Sequence, residues 1–177
     1  MRLLARLARR TRPLPRDVVA RLGLARGEHV LAHGRTHDGR HAVATDRALL
    51  LPGEEGFTRL GWEAIARATW QEGVLHVTES GEPGTAPPVH HLPLRDPGQL
   101  ADAVHDRVTS TIVVSHHVPL YGRAGVRVIG RRPPTAGPEL AELRWSLSFD
   151  QGVDPHDPEV QDRAAAALDD LRRQMGV

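Results

Sequence analysis

The 177-residue chain is 40% hydrophobic, enough for one sizeable core or a core with an appendage, and it has no cysteine, which removes disulfides, thiolate catalysis and cysteine-ligated metals. All 23 side-chain cations are arginine, with no lysine or asparagine anywhere; a GC-rich genome imposes such a bias, so arginine abundance by itself says nothing about function. Net charge is only +1, but eight arginines against Asp17 give residues 1–26 a charge of +7, leaving a body of −6, an asymmetry that raises the question of what the arm touches.

The arm opens with "MRLLARLARR". On a helix Leu3, Leu4, Leu7 and Ala8 gather on one side and Arg2, Arg6, Arg9 and Arg10 on the other, until Pro13 and Pro15 stop it. These four arginines are the candidate contacts for an anionic membrane surface, where each cation contributes about 1 kcal/mol. The alternative is an arm held against the negative body. The segment lacks the unbroken apolar region and small-residue cleavage site of an export signal, so it is expected to be retained. No window approaches eighteen apolar residues, and the expected location is cytoplasmic, with association at the inner membrane face as an option.

"PRDVVARLGLARGE" predicts a short helix through Val18, Val19 and Leu22, stopped by Gly23 and Gly27. Seven short apolar runs follow: "HVLAHGRT", "HAVAT", "ALLLP", "FTRLGW", "IARATW", "VLHVTES" and "VHHLPL". Their length and spacing predict an antiparallel sandwich or small barrel. Between the first two runs, Asp38-Gly39 predicts a two-residue hairpin turn pairing His37 with Arg40 and Thr36 with His41. His33 and His37 then share one strand face, and His41 points to the other. At a strand rise His33 and His37 lie about 13 Å apart, too far for one metal ion. No metal set is expected there, and the imidazoles are expected to be exposed near the turn, with a pH response as their residual interest.

"DPGQLADAVHDRVTSTIVVSHH" begins like a capped helix, with Asp96 as N-cap, Pro97 at the first position and Gln99 closing a capping box. Leu100, Val104, Val108 and Ile112 recur every four residues, although the β-branched run from Thr109 to Val114 favours extended chain. "GVRVIGRR" and "LRWSLSF" predict two more strands, joined by the loop "PPTAGPELAE". The last helix is capped by Asp157, started by Pro158 and stopped by Gly176, with Val160, Ala164, Ala167, Leu168, Leu171 and Met175 on one face.

No catalytic residue is assigned. Ser115 stands beside His116 and His117, but neighbours on extended chain point apart and no nucleophile elbow surrounds the serine. In "DPHDP", residues 154–158, the aspartates before proline are explained as turn and cap chemistry. No phosphate loop, dinucleotide fingerprint or paired-histidine zinc motif appears, and no cofactor is expected. With 3% aromatics and a negative body, sequence-specific nucleic-acid binding is not expected, since readout of a single strand wants stacking aromatics. Trp62 and Trp70 read as core or half-buried strand residues.

Seven short strands closed by one amphipathic helix is the order of the pleckstrin-homology-like barrel. "VATDRALLL", residues 43–51, resembles the strand-turn-strand of bacterial members, and "LGWEAIARATW", residues 60–70, resembles their step into the next strand. The resemblance covers roughly residues 27–116 and suits small actinobacterial proteins. It implies a scaffold for lipids, peptides or proteins, generally without catalysis. In lipid-binding relatives a basic cluster in the first strand-loop-strand grips the headgroup; the matching positions here are Arg35, His37, Arg40 and His41, with Asp38 among them in place of a further cation.

The expected protein is therefore α+β: a basic N-terminal helical arm over 1–26, a pleckstrin-homology-like seven-stranded barrel with capping helix over 27–118, and a strand-strand-helix extension over 119–177. Its expected role is a non-catalytic module binding a protein partner or an anionic membrane surface. The alternatives are a small enzyme with His116 or His117 as acid-base group where extension meets barrel, and a structural protein that assembles with copies of itself.

Overall fold

The structure, a computed structural model, describes residues 13–81, 86–134 and 142–176. Arg2, Arg6, Arg9 and Arg10 lie outside the described residues. Helix α1 (Arg16–Arg21) precedes seven strands: β1 (Val30–Thr36), β2 (His41–Thr45), β3 (Ala48–Pro52), β4 (Phe57–Gly61), β5 (Ile65–Gln71), β6 (Val74–Glu79) and β7 (Val89–Asp96). Each grows from one of the seven apolar runs. They form one antiparallel sheet in the order β4-β3-β2-β1-β7-β6-β5, and helix α2 (Leu100–Ser110) lies against it.

The continuous apolar run through β2 and β3 is explained by burial on both faces. On one face Ala42, Ala44, Leu49 and Leu51 join Trp62, Leu75, Leu100 and Val104 in the main core beneath α2. On the other, Val43, Ala48 and Leu50 pack with Val18 of α1 and with Leu22 just after it. Val19, expected on the same helical stripe, is instead 43% exposed.

The sheet is not closed into a barrel, which corrects the closed form expected. β4 and β5 are its two edges, linked by a single 3-10 turn over Trp62–Ala64. β1 meets β7 at only two registered positions, Arg35 with Asp96 and Thr36 with Leu94, and the register shifts between them. α2 packs against β5, β1 and β2. Gly34 admits it: a Cβ there would sit 3.0 Å from the Leu100 Cδ2.

α2 starts later than its capping pattern predicts. Asp96 ends β7, its Oδ1 accepting from the Gly98 N–H, and Gln99 is the N-cap without a side-chain bond. Gly98 has φ +53, outside helical backbone, so the first turn cannot form until Leu100. At the other end the β-branched run prevails, and Ile112 begins a strand rather than ending the stripe.

The C-terminal part accordingly has three strands where two were expected: β8 (Ile112–Tyr121), β9 (Ala124–Arg131) and β10 (Arg144–Phe149), in the order β10-β9-β8. Helix α3 (Pro158–Met175) covers one face, with Val160 and Ala164 against Leu120, Val126 and Val153. Asp157 accepts from the Glu159 N–H, and Gly176 turns left-handed at φ 72, as the pattern predicts. Met175, at the end of the expected stripe, is exposed.

The two sheets are pinned by Arg131, which is 2% exposed. Its guanidinium donates to the Val108 carbonyl at 2.8 Å, the Thr111 hydroxyl at 2.9 Å and the Ala66 carbonyl at 2.8 Å. Val108 lies in the last turn of α2, where the helix dipole favours a cation. Removing the guanidinium strands buried carbonyls, so Arg131→Ala is expected to lower unfolding free energy by about 3 kcal/mol. Urea titration measures it, and an unchanged midpoint would show that these contacts add no net stability.

Candidate functional site

The β1–β2 hairpin departs from the two-residue turn. The Thr36 N–H donates to the Arg40 carbonyl at 2.9 Å, the Gly39 N–H donates to the Thr36 carbonyl at 3.1 Å, and Arg35 is registered with His41. His37, Asp38 and Gly39 thus make a three-residue turn with Gly39 at φ +86, the left-handed position such a turn requires. The Asp38 carboxylate stabilises it, accepting from the Thr36 hydroxyl and, at 2.7 Å, from the Arg40 Nε. Those bonds hold its pKa well below the usual carboxylate range, the Arg40 contact first.

One extra turn residue reverses the expected facing of the histidines. His33 and His41 now share a face, with ring centroids 5.5 Å apart, while His37 is exposed in the turn itself. Arg35, registered with His41, stands on that face too. This is the outer face of the sheet, the one α1 covers only in part.

The uncovered remainder is an open cleft of about 1350 Å³. α1 contributes Asp17, Val18 and Arg21; the hairpin contributes His33, Arg35, Asp38, Arg40 and His41; the end of β3, the turn after it and the start of β4 add Pro52, Glu54 and Phe57; the end of β7 adds Arg95 and Asp96. Three of the four sequence-derived loop contacts, Arg35, Arg40 and His41, therefore line one cavity. His37 does not. Arg95 was missed, because nothing in "LPLRD" marks it until β7 is placed beside β1.

The four arginines are not equivalent. Arg21 pairs with Asp17 at 3.3 Å and Arg40 with Asp38 at 2.6 Å. Arg35 donates to the Gly39 carbonyl, at 3.4 Å, and among the described residues neither Arg35 nor Arg95 has a carboxylate partner. The cleft thus holds two uncommitted guanidinium groups beside two imidazoles, a set that can accept a carboxylate or phosphate.

Elsewhere, His116 and His117 do not line the cleft. His117 Nε2 lies 2.7 Å from an Asp150 oxygen that also accepts from the Gly125 N–H, and those bonds, the one to His117 first, lower the Asp150 pKa. Ser115 is two residues along the same strand, a separation of about 6.8 Å, beyond the reach of a nucleophile to its base. Among the described residues, no three His, Asp or Glu side chains converge as a ready metal set. Trp62 is fully buried, donating to the Thr45 carbonyl at 3.1 Å, whereas Trp70 is 42% exposed. Comparisons with protein-family models, characterised proteins and solved structures return no match.

His41 gives the cleft a pH response. Burial lowers its pKa below the usual 6.5, and the charges of His33 and Arg35 add to that, against a smaller opposing effect of Asp17; its Nδ1 is buried with no hydrogen-bond partner among the described residues. A histidine that resists protonation only when folded stabilises the fold fully above pH 6.5, and that contribution is lost as pH falls through the lowered value. Urea midpoints measured from pH 7.5 down to 5.5 are expected to drop, and His41→Leu is expected to flatten the dependence. An equal slope in both proteins would contradict this assignment.

Proposed function

We propose that this protein is a non-catalytic interaction module that holds an anionic group of its partner in the cleft, between Arg35 and Arg95. The observation that carries the reading is the pair of arginines that have no carboxylate partner among the described residues, on adjacent strands and in a cavity large enough for a headgroup or peptide side chains. The described chain begins at Pro13 on the rim of this cleft. The charge of Arg2, Arg6, Arg9 and Arg10, earlier in the sequence, adds a long-range attraction to the same partner. An anionic membrane at the cytoplasmic face is the partner this combination suits best, and an acidic protein segment is the other. The strand order and the helix packed across the sheet support a pleckstrin-homology-like assignment, in an open version of that barrel.

A second reading, assembly with further copies, is favoured by β8. It is an edge strand with Ile112, Val113 and Tyr121 exposed, the kind of edge that another strand can extend. Sedimentation equilibrium decides it: a monomer at high concentration would set this reading aside.

Co-sedimentation with anionic and neutral vesicles tests the main proposal. Starting the chain at Asp17 removes six arginines, up to about 6 kcal/mol of attraction, and Arg35→Glu or Arg95→Glu is expected to weaken binding about fivefold or more each. The expected result is binding that requires anionic lipid, fades with salt and is reduced by both kinds of change. Equal recovery on neutral vesicles, or binding indifferent to Arg35 and Arg95, would overturn it.

A further inference from the structure

His76 on β6 and His91 on β7 are directly opposed in the strand register. Their rings meet edge to face with centroids 4.9 Å apart, and the two Nδ1 atoms are 2.8 Å apart. The pair stands on the outer face, because Leu75, Val77 and Leu92 of the same two strands point into the core. Neither ring lines the cleft. Leu75 and Leu92, also in cross-strand register, fix both Cα positions and so aim the imidazoles at one another before any ligand arrives.

The separation is that of a hydrogen bond and also fits two donors on one shared ion. Two nitrogens each about 2.0 Å from a metal sit about 2.8 Å apart at a right angle, but about 3.3 Å apart at a tetrahedral angle. We propose that His76 and His91 form a two-nitrogen site for a divalent metal of square or tetragonal preference, with copper(II) favoured over nickel(II) by its greater intrinsic affinity for nitrogen donors. Without metal, one Nδ1–H donates to the other Nδ1. On binding, that proton shifts to Nε2 of its own ring, both Nδ1 lone pairs point at the ion, and no net proton is released from the neutral pair.

With only two protein ligands, the remaining positions go to water or to an external ligand, so the ion is exchangeable and open to solvent. Thr69 faces His76 across β5. The nearby His90 is not part of the set: it belongs to the opposite face of β7, where its Nε2 lies 2.7 Å from Glu79.

Titration of the full chain with copper(II) sulfate, followed by electron paramagnetic resonance, tests the site. One ion per chain with a two-nitrogen signature is expected. Loss of outer-shell partners alone costs metal sites about 10- to 100-fold, so His76→Ala or His91→Ala is expected to weaken binding at least tenfold, and His90→Ala to leave it unchanged. In the unaltered chain, paramagnetic broadening of histidine resonances is expected to centre on His76 and His91, a readout independent of whether any variant folds. Broadening centred on His33 and His41, or affinity indifferent to both alanine variants, would overturn the proposal.

Discussion

Burial of β2 and β3 on both faces sets the direction of the side chains around them. Ala42, Val43, Ala44, Leu49 and Leu50 are each at most 1% exposed, and a one-residue slip would exchange the faces of every neighbour. β1 inherits its orientation from that register. Ala32 and Gly34 turn inward, while His33 and Arg35 turn outward beside His41. α1 is only six residues long, so it seals the outer face over Val43 and Leu50 and stops. The cleft is what remains uncovered.

A second polar contact anchors the approach to β1. The Glu28 carboxylate, fully buried in its side chain, accepts from the Thr45 hydroxyl at 2.6 Å, from Arg59 at 2.8 Å and from the Ala25 N–H at 3.0 Å. Burial pushes its pKa up, but these bonds outweigh burial and leave it lowered. The linker from α1 is thereby tied to the β2–β3 turn and to β4. Arg131 plays a comparable part between the two sheets, satisfying carbonyls from β5 and α2 with a group from β9. In both places a buried charge is held by several partners, which makes removal of one partner costly whatever the net value of the set.

The elements were largely legible in the sequence because they follow local rules. Seven apolar runs became seven strands, and Asp157, Pro158 and Gly176 delimit α3 as their chemistry requires. What was not legible depends on distant pairing or on one residue of register. Closure was expected from strand number, but β4 and β5 stay separate edges, and α2 packs against β5, β1 and β2. Asp38-Gly39 is a hairpin signal for both two- and three-residue turns, and the longer one forms here, with the Thr36 hydroxyl bonded at its base and one residue added to the turn. That single residue carries His41 to the side of His33. The alignment of Arg95 with the hairpin, and of His76 with His91, likewise depends on which strands become neighbours.

The proposed anion sits between Arg35 and Arg95, on the floor left uncovered by α1. The most direct measurement is a nuclear magnetic resonance titration of the full chain with glycerol phosphate, a soluble phosphomonoester. Saturable shifts confined to Arg35, Gly39, His41 and Arg95 are the expected result. Weak, unsaturated shifts spread over exposed arginines such as Arg127 and Arg144 would contradict it.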